Sequence, residues 1–468
     1  MPPRVALITL GCDKNTVDSE RYLAQLVGHG AEPTDDPADA EIIVVNTCGF
    51  IDAAKKESLD AILGAAQLKG EGACRAVVAV GCMVQRHRAE LEAELPEVDL
   101  FLGAAEMDRL IPELTERGLI GEPIDVHPGD RTYAGELPHV RYLKISEGCD
   151  HGCAFCAIPL MRGKHRSFAL DDVVREAQLL ELQGAREINL VAQDLAHWGG
   201  GRDRRDGVRL PRLLDALLAE TAVPWFRLLY IYSAGLTPDL LERVARQPRI
   251  VPYLDMPIQH GSDAVLRRMR RPERARTIRE TVARVRDAIP DVALRTTCIV
   301  GFPGETEDDF ERLLALLEEV QFERVGAFTY SAQEGTRAAE MPDDVPESLK
   351  RERLERLTEL QRAITAERYE RHIGRTIRAI VDYPAGDDAI AVARTVWQAD
   401  DIDGVTRLLG EAPAGAIVDA AIEDVVDDYD FRATLVRVVD APPALMSAPA
   451  IARRALPIAG ASIGSFGR

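Results

Sequence analysis

Several things are scarce in this sequence, and each scarcity removes a class of protein. No apolar run approaches the ~18 residues that a membrane-crossing helix needs, so a helical membrane protein is not expected. The amino end offers only the six-residue run Val5–Leu10 behind Arg4. That is shorter than the roughly 7 to 15 residues of a secretory signal core, and it reads as the first β-strand of a cytoplasmic protein. Positive charge is also short: 57 Lys and Arg stand against 77 Asp and Glu, a formal net charge of −20. Phosphate binding draws its affinity from Lys and Arg that displace condensed counterions, so a general nucleic-acid surface is not expected and only a local basic patch stays open.

What is present is ordinary for a globular chain, with 46% apolar and 29% charged residues. A length of 468 residues predicts about three domains. Eight cysteines (12, 48, 74, 82, 149, 153, 156 and 298) could pair as disulfides in a secreted protein. A long chain without a signal has no need of such staples, which favours ligation or catalysis.

Short apolar runs alternate with amphipathic stretches from Val5 to about residue 110, and this predicts an open parallel α/β sheet over residues 1–135. Cys12, Cys48 and Cys82 each follow one of its three strands ("LITLGC", "VVNTC", "VAVGC"). Ligands bind at the carboxyl ends of strands in such sheets, so three thiols should converge on one crevice. Residues 136–345 contain six strand candidates separated by five helical stretches. Six βα units fall short of the eight of a full barrel, which predicts an open, partial (β/α)6 barrel with its chemistry at the strands' carboxyl ends. Residues 346–375 form a charged amphipathic helix expected to connect or buttress domains. Residues 376–442 predict a small β-barrel, and the Ala- and Pro-rich tail 443–468 is expected to be disordered.

The run "CDHGCAFC" supplies three cysteines, Cys149, Cys153 and Cys156, just past the first strand of the partial barrel. A tetrahedral metal site usually takes four ligands. A cubane iron-sulfur cluster held by three thiolates leaves one iron open to a small molecule with amino and carboxylate groups. Spacing alone also fits zinc with His151 as the fourth ligand, or a redox pair at Cys153 and Cys156.

"CDHGCAFC" resembles the Cys-x3-Cys-x-aromatic-Cys signature of radical S-adenosylmethionine (SAM) enzymes, a resemblance that also implies a partial six-unit barrel. It implies a 4Fe-4S cluster whose open iron chelates SAM, with Phe155 near the adenine, and reductive cleavage of SAM to a deoxyadenosyl radical. The turn "IVGFPGET", with Gly301, Gly304 and Glu305, is similar to the family's glycine-containing approach to adenine, and it also reads as a plain strand-to-helix turn. Gln193, Asp194, Gln259 and Ser262 follow strands two and four, where contacts to the SAM amino group or ribose are expected.

With Cys12, Cys48 and Cys82 added, the chain resembles the methylthiotransferases. That implies a second 4Fe-4S cluster carrying the sulfur to be inserted, with one SAM methylating it and another supplying the radical. No residue is assigned as a catalytic acid or base, because the cofactor carries the chemistry. Cys74 and Cys298 fit neither set and are assigned to packing. The motifs "LGCDKNTVDSE", "VVNTCGFIDAA", "LVAQDLAHWG", "LDMPIQHGS" and "YSAQEGT" resemble the branch that modifies an aspartate β-carbon of small-subunit ribosomal protein twelve, rather than the transfer RNA branch.

The small barrel resembles the TRAM module, and its 14 acidic residues against 5 arginines would repel RNA and suit a basic protein. The resemblance further implies an electron donor such as flavodoxin or ferredoxin and a sulfur donor, with no membrane and no nucleic acid as direct substrate. "LLYIYSAGLT" departs from the pattern by lacking a proline after the tyrosine. Arg162, Lys164, His165 and Arg166 follow the barrel cysteines and either contact the target or cluster, or form a solvated charged run.

Overall fold

The first strand, β1 (Arg4–Thr9), and the partners β3 (Ile42–Thr47) and β4 (Ala76–Gly81) are runs of Val, Ile and Ala with nearly every residue buried. Continuous apolar runs of this kind belong to parallel strands covered on both faces. In this computed structural model the described residues are 2–442, apart from 122–125, 128, 134, 136, 201–208 and 387–389. The expected tail from residue 443 lies outside them.

Two short strands, β2 (Glu32–Pro33) and β5 (Leu100–Gly103), complete a five-stranded parallel sheet of order β2-β1-β3-β4-β5. Helices α1 (Asp13–Gly28), α2 (Asp52–Glu71), α3 (Cys82–Glu94) and α4 (Leu110–Glu116) connect and cover it. The order places β1, β3 and β4 side by side, so residues 12, 48 and 82 leave the same end of adjacent strands.

The central domain begins with β6 (Val140–Lys144). A two-stranded ribbon of β7 (Ser146–Glu147) and β8 (Arg166–Ser167) flanks the barrel cysteines and the short helix α5 (Ile158–Met161). The chain then runs through α6 (Leu170–Leu182), β9 (Glu187–Val191), α7 (Leu210–Glu220), β10 (Trp225–Leu228) and α8 (Pro238–Arg246). It continues through β11 (Ile250–Asp255), α9 (Asp263–Arg268), α10 (Ala275–Ala288), β12 (Ala293–Val300), α11 (Glu307–Val320) and β13 (Arg324–Thr329). Strands β6, β9, β10, β11, β12 and β13 form an open parallel sheet in chain order, as six βα units require, and the first and fourth connections each carry two helices where one was expected.

Alternate side chains divide the labour of this sheet. Leu143, Ile188, Leu190, Phe226, Leu228, Leu254 and Leu294 pack against the helices. Val191, Trp225, Val251 and Tyr253 face the other way, into a core shared with Ala379, Trp397 and Phe431 of the terminal domain. That domain is a closed barrel, β14 (Thr376–Tyr383), β15 (Ala391–Thr395), β16 (Thr406–Leu409), β18 (Asp430–Asp440) and β17 (Ile417–Val426) in spatial order. The expected connecting helix is α12 (Glu347–Glu370), which buries Leu357 in the central core and ion-pairs Arg353 with Glu305 at 3.0 Å.

Buried charge joins the three parts. Glu20 of α1 accepts from Arg131 of the linker and from Arg141 of β6, while Glu176 of α6 takes Arg131 at 2.6 Å and Arg21 at 2.8 Å. Glu187 at the start of β9 takes Arg227 and Arg394, each at 2.7 Å. Tyr253 donates to Asp403 of the terminal barrel at 2.7 Å.

Candidate metal centres

The amino-terminal thiols are held by a frame of ordinary hydrogen bonds. Cys12 precedes the first residue of α1, Cys48 follows β3, and Cys82 opens α3. One turn into α1, the fully buried Asn15 donates to the carbonyls of Leu10 at 2.7 Å and Thr47 at 3.1 Å, which ties together the chain segments leading into Cys12 and Cys48. The Ser58 hydroxyl accepts from the Cys48 amide at 2.9 Å and donates to its carbonyl at 3.0 Å. Close packing completes the frame: a Cβ on Gly49 would lie 2.8 Å from the Met83 Cα, so only glycine lets α3 approach Cys48.

The barrel triad sits on a loop stitched to its surroundings. Ala154 donates to Met269 O at 2.9 Å and accepts from Ala338 N at 2.9 Å, and the Cys149 amide donates to Gly163 O at 3.1 Å. Gly148 has φ +75°, and a Cβ there would stand 2.3 Å from the Lys164 carbonyl, which explains a glycine immediately before the first ligand. The Tyr232 hydroxyl lies 3.3 Å from Cys153 Sγ, and its ring is sandwiched by His151 at 3.9 Å and the Arg271 guanidinium at 3.8 Å.

Burial pushes the thiols up, Cys48 to about 12, Cys82 to about 11, Cys149 to about 11 and Cys156 to about 12. Iron would therefore displace protons on binding, since thiolate is the ligand. Among the described residues no three Cys, His, Asp or Glu side chains close around a single ion. Thiolates on one zinc, at ~2.3 Å bonds in a tetrahedron, would stand ~4 Å apart. Soft thiolate donors suit iron-sulfur clusters as well as zinc. His151 holds Asp194 through Nε2 at 2.8 Å, and its ring stacks on Tyr232.

The residues expected to face SAM fall into two groups. Phe155 packs, half-buried, on a cluster with Phe302, Ile299 and Tyr330, beside the turn that holds Gly301 (φ +72°) and Gly304 (φ +73°). Gln259 has φ +71° and bridges to β12 through its backbone, and Gln193 donates to Glu147 at 3.2 Å while its own Oε1 has no protein partner.

Ser262 and Glu305, expected to contact SAM directly, have buried side chains engaged with the protein's own groups. Ser262 caps α9 and donates to Asp309, and Glu305 is fully buried between Arg353 and the Phe302 amide. Asp194 is likewise spent, on His151 and on capping the turn Leu195–His197. These three shape turns that follow the strands' carboxyl ends. Cys74 and Cys298 are buried in apolar cores.

Between the triads runs a network that sequence patterns alone do not reveal. Arg162 is buried, and it donates from Nε to Cys82 Sγ at 3.2 Å, from Nη1 to Asp18 at 2.6 Å and from Nη2 to the Asn15 side-chain carbonyl. Lys144 donates to Asp18 and, at 2.7 Å, to Glu147. Burial alone would raise the Asp18 carboxyl, but Lys144 and Arg162 outweigh it and hold the group well below the usual carboxylate range. The available signals are that Asn15 and Asp18 stand inside the motif "LGCDKNTVDSE" and that Arg162 belongs to the basic run expected either to contact the target or cluster or to be solvated.

A strand-end cysteine loop on a six-strand open parallel sheet, beside a glycine turn, defines a radical SAM protein, one that uses an iron-sulfur cluster and SAM. The chain matches the radical SAM superfamily over residues 143–317, Uncharacterized protein family UPF0004 over 4–103 and the TRAM domain over 373–436. The chain is 47% identical over 435 residues to the ribosomal protein uS12 methylthiotransferase RimO of Anaeromyxobacter sp. (strain Fw109-5), covering 92% of both chains. It is 44% identical to that of Geobacter sulfurreducens over 438 residues, covering 92% of this chain and 97% of the relative. The chain belongs to this ribosomal protein uS12 methylthiotransferase family. Among solved structures, the radical SAM methyltransferase TsrM of Kitasatospora setae shares the fold, with a TM-score of 0.53 at 13% identity over 69% of this chain and 72% of that one.

Proposed function

We propose that the chain inserts a methylthio group at the β-carbon of an aspartate in ribosomal protein uS12, using two 4Fe-4S clusters. The observation that carries this is the pair of cysteine triads, each at the carboxyl end of a parallel sheet and joined through Arg162. Cys149, Cys153 and Cys156 would hold the cluster that binds SAM, and Cys12, Cys48 and Cys82 the cluster that carries the sulfur. When bound, these groups supply reductive cleavage of SAM to a deoxyadenosyl radical, together with the sulfur and methyl that are transferred.

The chain's own residues bind, orient and exclude water. Phe155, Gly301 and Gly304 line the approach to adenine, Gln193 and Gln259 present polar atoms to the ribose or amino group, and Asp194, Ser262 and Glu305 fix the turns that hold them. Residues 1–135 carry the sulfur site, 136–345 the radical site, and 346–375 brace them.

The terminal barrel, 376–442, faces the partner. Its five arginines are each paired with carboxylates, Arg378 and Arg437 with Asp419, Arg394 with Asp382 and Glu187, Arg407 with Asp427 and Arg432 with Asp424. None is left to neutralise phosphate, and the remaining acids favour a basic protein. No helix among the described residues is long and apolar enough to cross a membrane. A ribosomal target implies a cytoplasmic site of action. An electron donor such as flavodoxin or ferredoxin and a separate sulfur donor complete the reaction.

The test combines metal analysis with mass spectrometry of the substrate. Two clusters predict eight irons per chain, falling to four when either triad is replaced by Ala. uS12 should gain one methylthio group with the intact chain and none with either variant. Deoxyadenosine release should vanish without the barrel triad and persist without the amino-terminal one. Zinc, or modification of transfer RNA in place of uS12, would overturn the proposal.

A further inference from the structure

The charged run after the barrel cysteines does not behave as one surface feature. Lys164 and Arg166 are exposed, whereas the Arg162 side chain is 3% exposed and belongs to the other triad's surroundings. It lies six residues beyond Cys156 and crosses to the amino-terminal domain. There the three nitrogens of one planar guanidinium address three residues on two elements, α1 and α3. Nε reaches Cys82 at the start of α3, Nη1 reaches Asp18 of α1, and Nη2 reaches Asn15, whose amide ties the segments leaving β1 and β3.

We infer that Arg162 is the positioning residue of the amino-terminal centre, orienting Cys82 and setting the reduction potential of the cluster held there. The inference rests on the reading of Cys12, Cys48 and Cys82 as cluster ligands. Two physical effects follow from the contact. An N–H donor to a ligand sulfur draws charge from the thiolate and favours the more negative, reduced cluster, so the potential rises. A guanidinium is also a rigid fork that holds three acceptors in one plane, which the single ammonium of lysine does not reproduce. Asp18 acts through Arg162: with Lys144 on its other side, it fixes the fork and balances its charge inside the protein.

The contact has a second consequence. Because the donor lies on the loop of the barrel triad and the acceptor belongs to the other triad, the environment of the sulfur-carrying centre is completed only when the barrel loop is in place. Gly148 and α5, on either side of the cysteines, set that loop's path.

The test is a potentiometric titration of the reconstituted chain followed by electron paramagnetic resonance, on wild type, Arg162→Gln, Arg162→Lys and Arg21→Gln. The last removes a buried interdomain ion pair, Arg21 to Glu176 at 2.8 Å, that touches no thiol. Arg162→Gln is expected to lower the midpoint potential of the amino-terminal cluster and alter its spectrum, with the barrel cluster unmoved. Arg162→Lys is expected to give an intermediate shift, and Arg21→Gln none. Loss of the amino-terminal iron in Arg162→Gln that Arg162→Lys restores, with an altered potential, also meets the expectation.

An unchanged potential and spectrum at full iron in Arg162→Gln would overturn it. So would an equal shift in Arg21→Gln, or iron lost alike in Arg162→Lys and Arg21→Gln. Wild type with only four irons would instead refute the two-cluster reading, so the two failures are distinguishable.

Discussion

Glu187 and Arg394 meet at 2.7 Å across the boundary between the central sheet and the terminal barrel, with side chains 0% and 3% exposed. Arg227 holds the second oxygen of the same carboxylate at 2.7 Å, so one anion faces two cations inside the protein. Removing one member of such a set is costly because the others stay buried without a partner. Glu187→Gln should therefore destabilise the protein by ~3–5 kcal/mol, seen as a lower thermal midpoint and faster proteolytic release of residues beyond 375. Wild-type behaviour in both assays would mean that the apolar contacts of Trp225 and Tyr253 hold the terminal barrel alone.

Acid should loosen the joints between the parts in two stages. Burial, reinforced by Arg375, lowers His372 to about 4 from its ordinary value, where it stacks on Trp397 at 3.6 Å as a neutral ring. A base with a lowered folded pKa stabilises fully above its unfolded pKa, ~6.5, and loses that contribution as pH falls toward 4. Burial alone would raise Asp18, Glu20 and Glu187, but their Lys and Arg partners outweigh it and hold all three below the ordinary range. Their contribution is full above ~pH 5 and disappears as pH falls through the depressed values. Thermal midpoints should decline gently between about pH 6.5 and 4 and steeply below ~4, and His372→Phe should remove the gentle stage. A single steep decline in wild type would contradict the His372 assignment.

Gly81→Ala should disable one centre selectively. The residue has φ +102°, and a Cβ would lie 2.5 Å from Asn46 Oδ1 and 2.7 Å from the Thr47 carbonyl. Strain and collision together should cost about 2–3 kcal/mol and displace Cys82, its neighbour. Iron per chain is expected to fall to that of one cluster, with SAM cleavage retained. Full iron in this variant would show that α3 can shift without losing its thiol.

The charge pattern of the terminal barrel predicts how binding responds to salt. Association with uS12 should weaken several-fold as ionic strength rises from about 0.05 to 0.3 M, mainly through a slower on-rate, because the net negative charge of the barrel is screened by salt. Transfer RNA should show no comparable binding at either salt concentration. Calorimetry or surface resonance with both partners separates the outcomes, and tight salt-sensitive RNA binding would reverse the assignment.

Much of this architecture is legible in the amino-acid sequence. The six strands of the central sheet and the three cysteine-bearing strands stand out because parallel strands are near-continuous Val, Ile and Leu runs ended by glycine or a polar residue. β5 (Leu100–Gly103) and β2 (Glu32–Pro33) do not, being too short to show a period. β17 is hidden because Asp419, Glu423 and Asp424 interrupt its apolar run.

Among the site residues the six cysteines announce themselves by spacing and position. Arg162 does not: its partner Asp18 lies 144 residues away, and in one dimension a buried fork and a solvated charge look alike. Ser233, where a proline is expected, becomes intelligible only in three dimensions, as its hydroxyl donates to Glu273 at 2.7 Å, beside Arg271 and Tyr232.

The ionic seams at Glu20, Glu176 and Glu187 also bear on which molecule must move. Hinged enzymes close over their targets by breaking weak, wet contacts between domains. Here the seams at these three carboxylates are buried and charged, and opening any of them strands an ion. The distance from the terminal barrel to the two cysteine sites is thus a fixed length, so the flexibility that brings the aspartate into reach has to be supplied by the ribosomal protein.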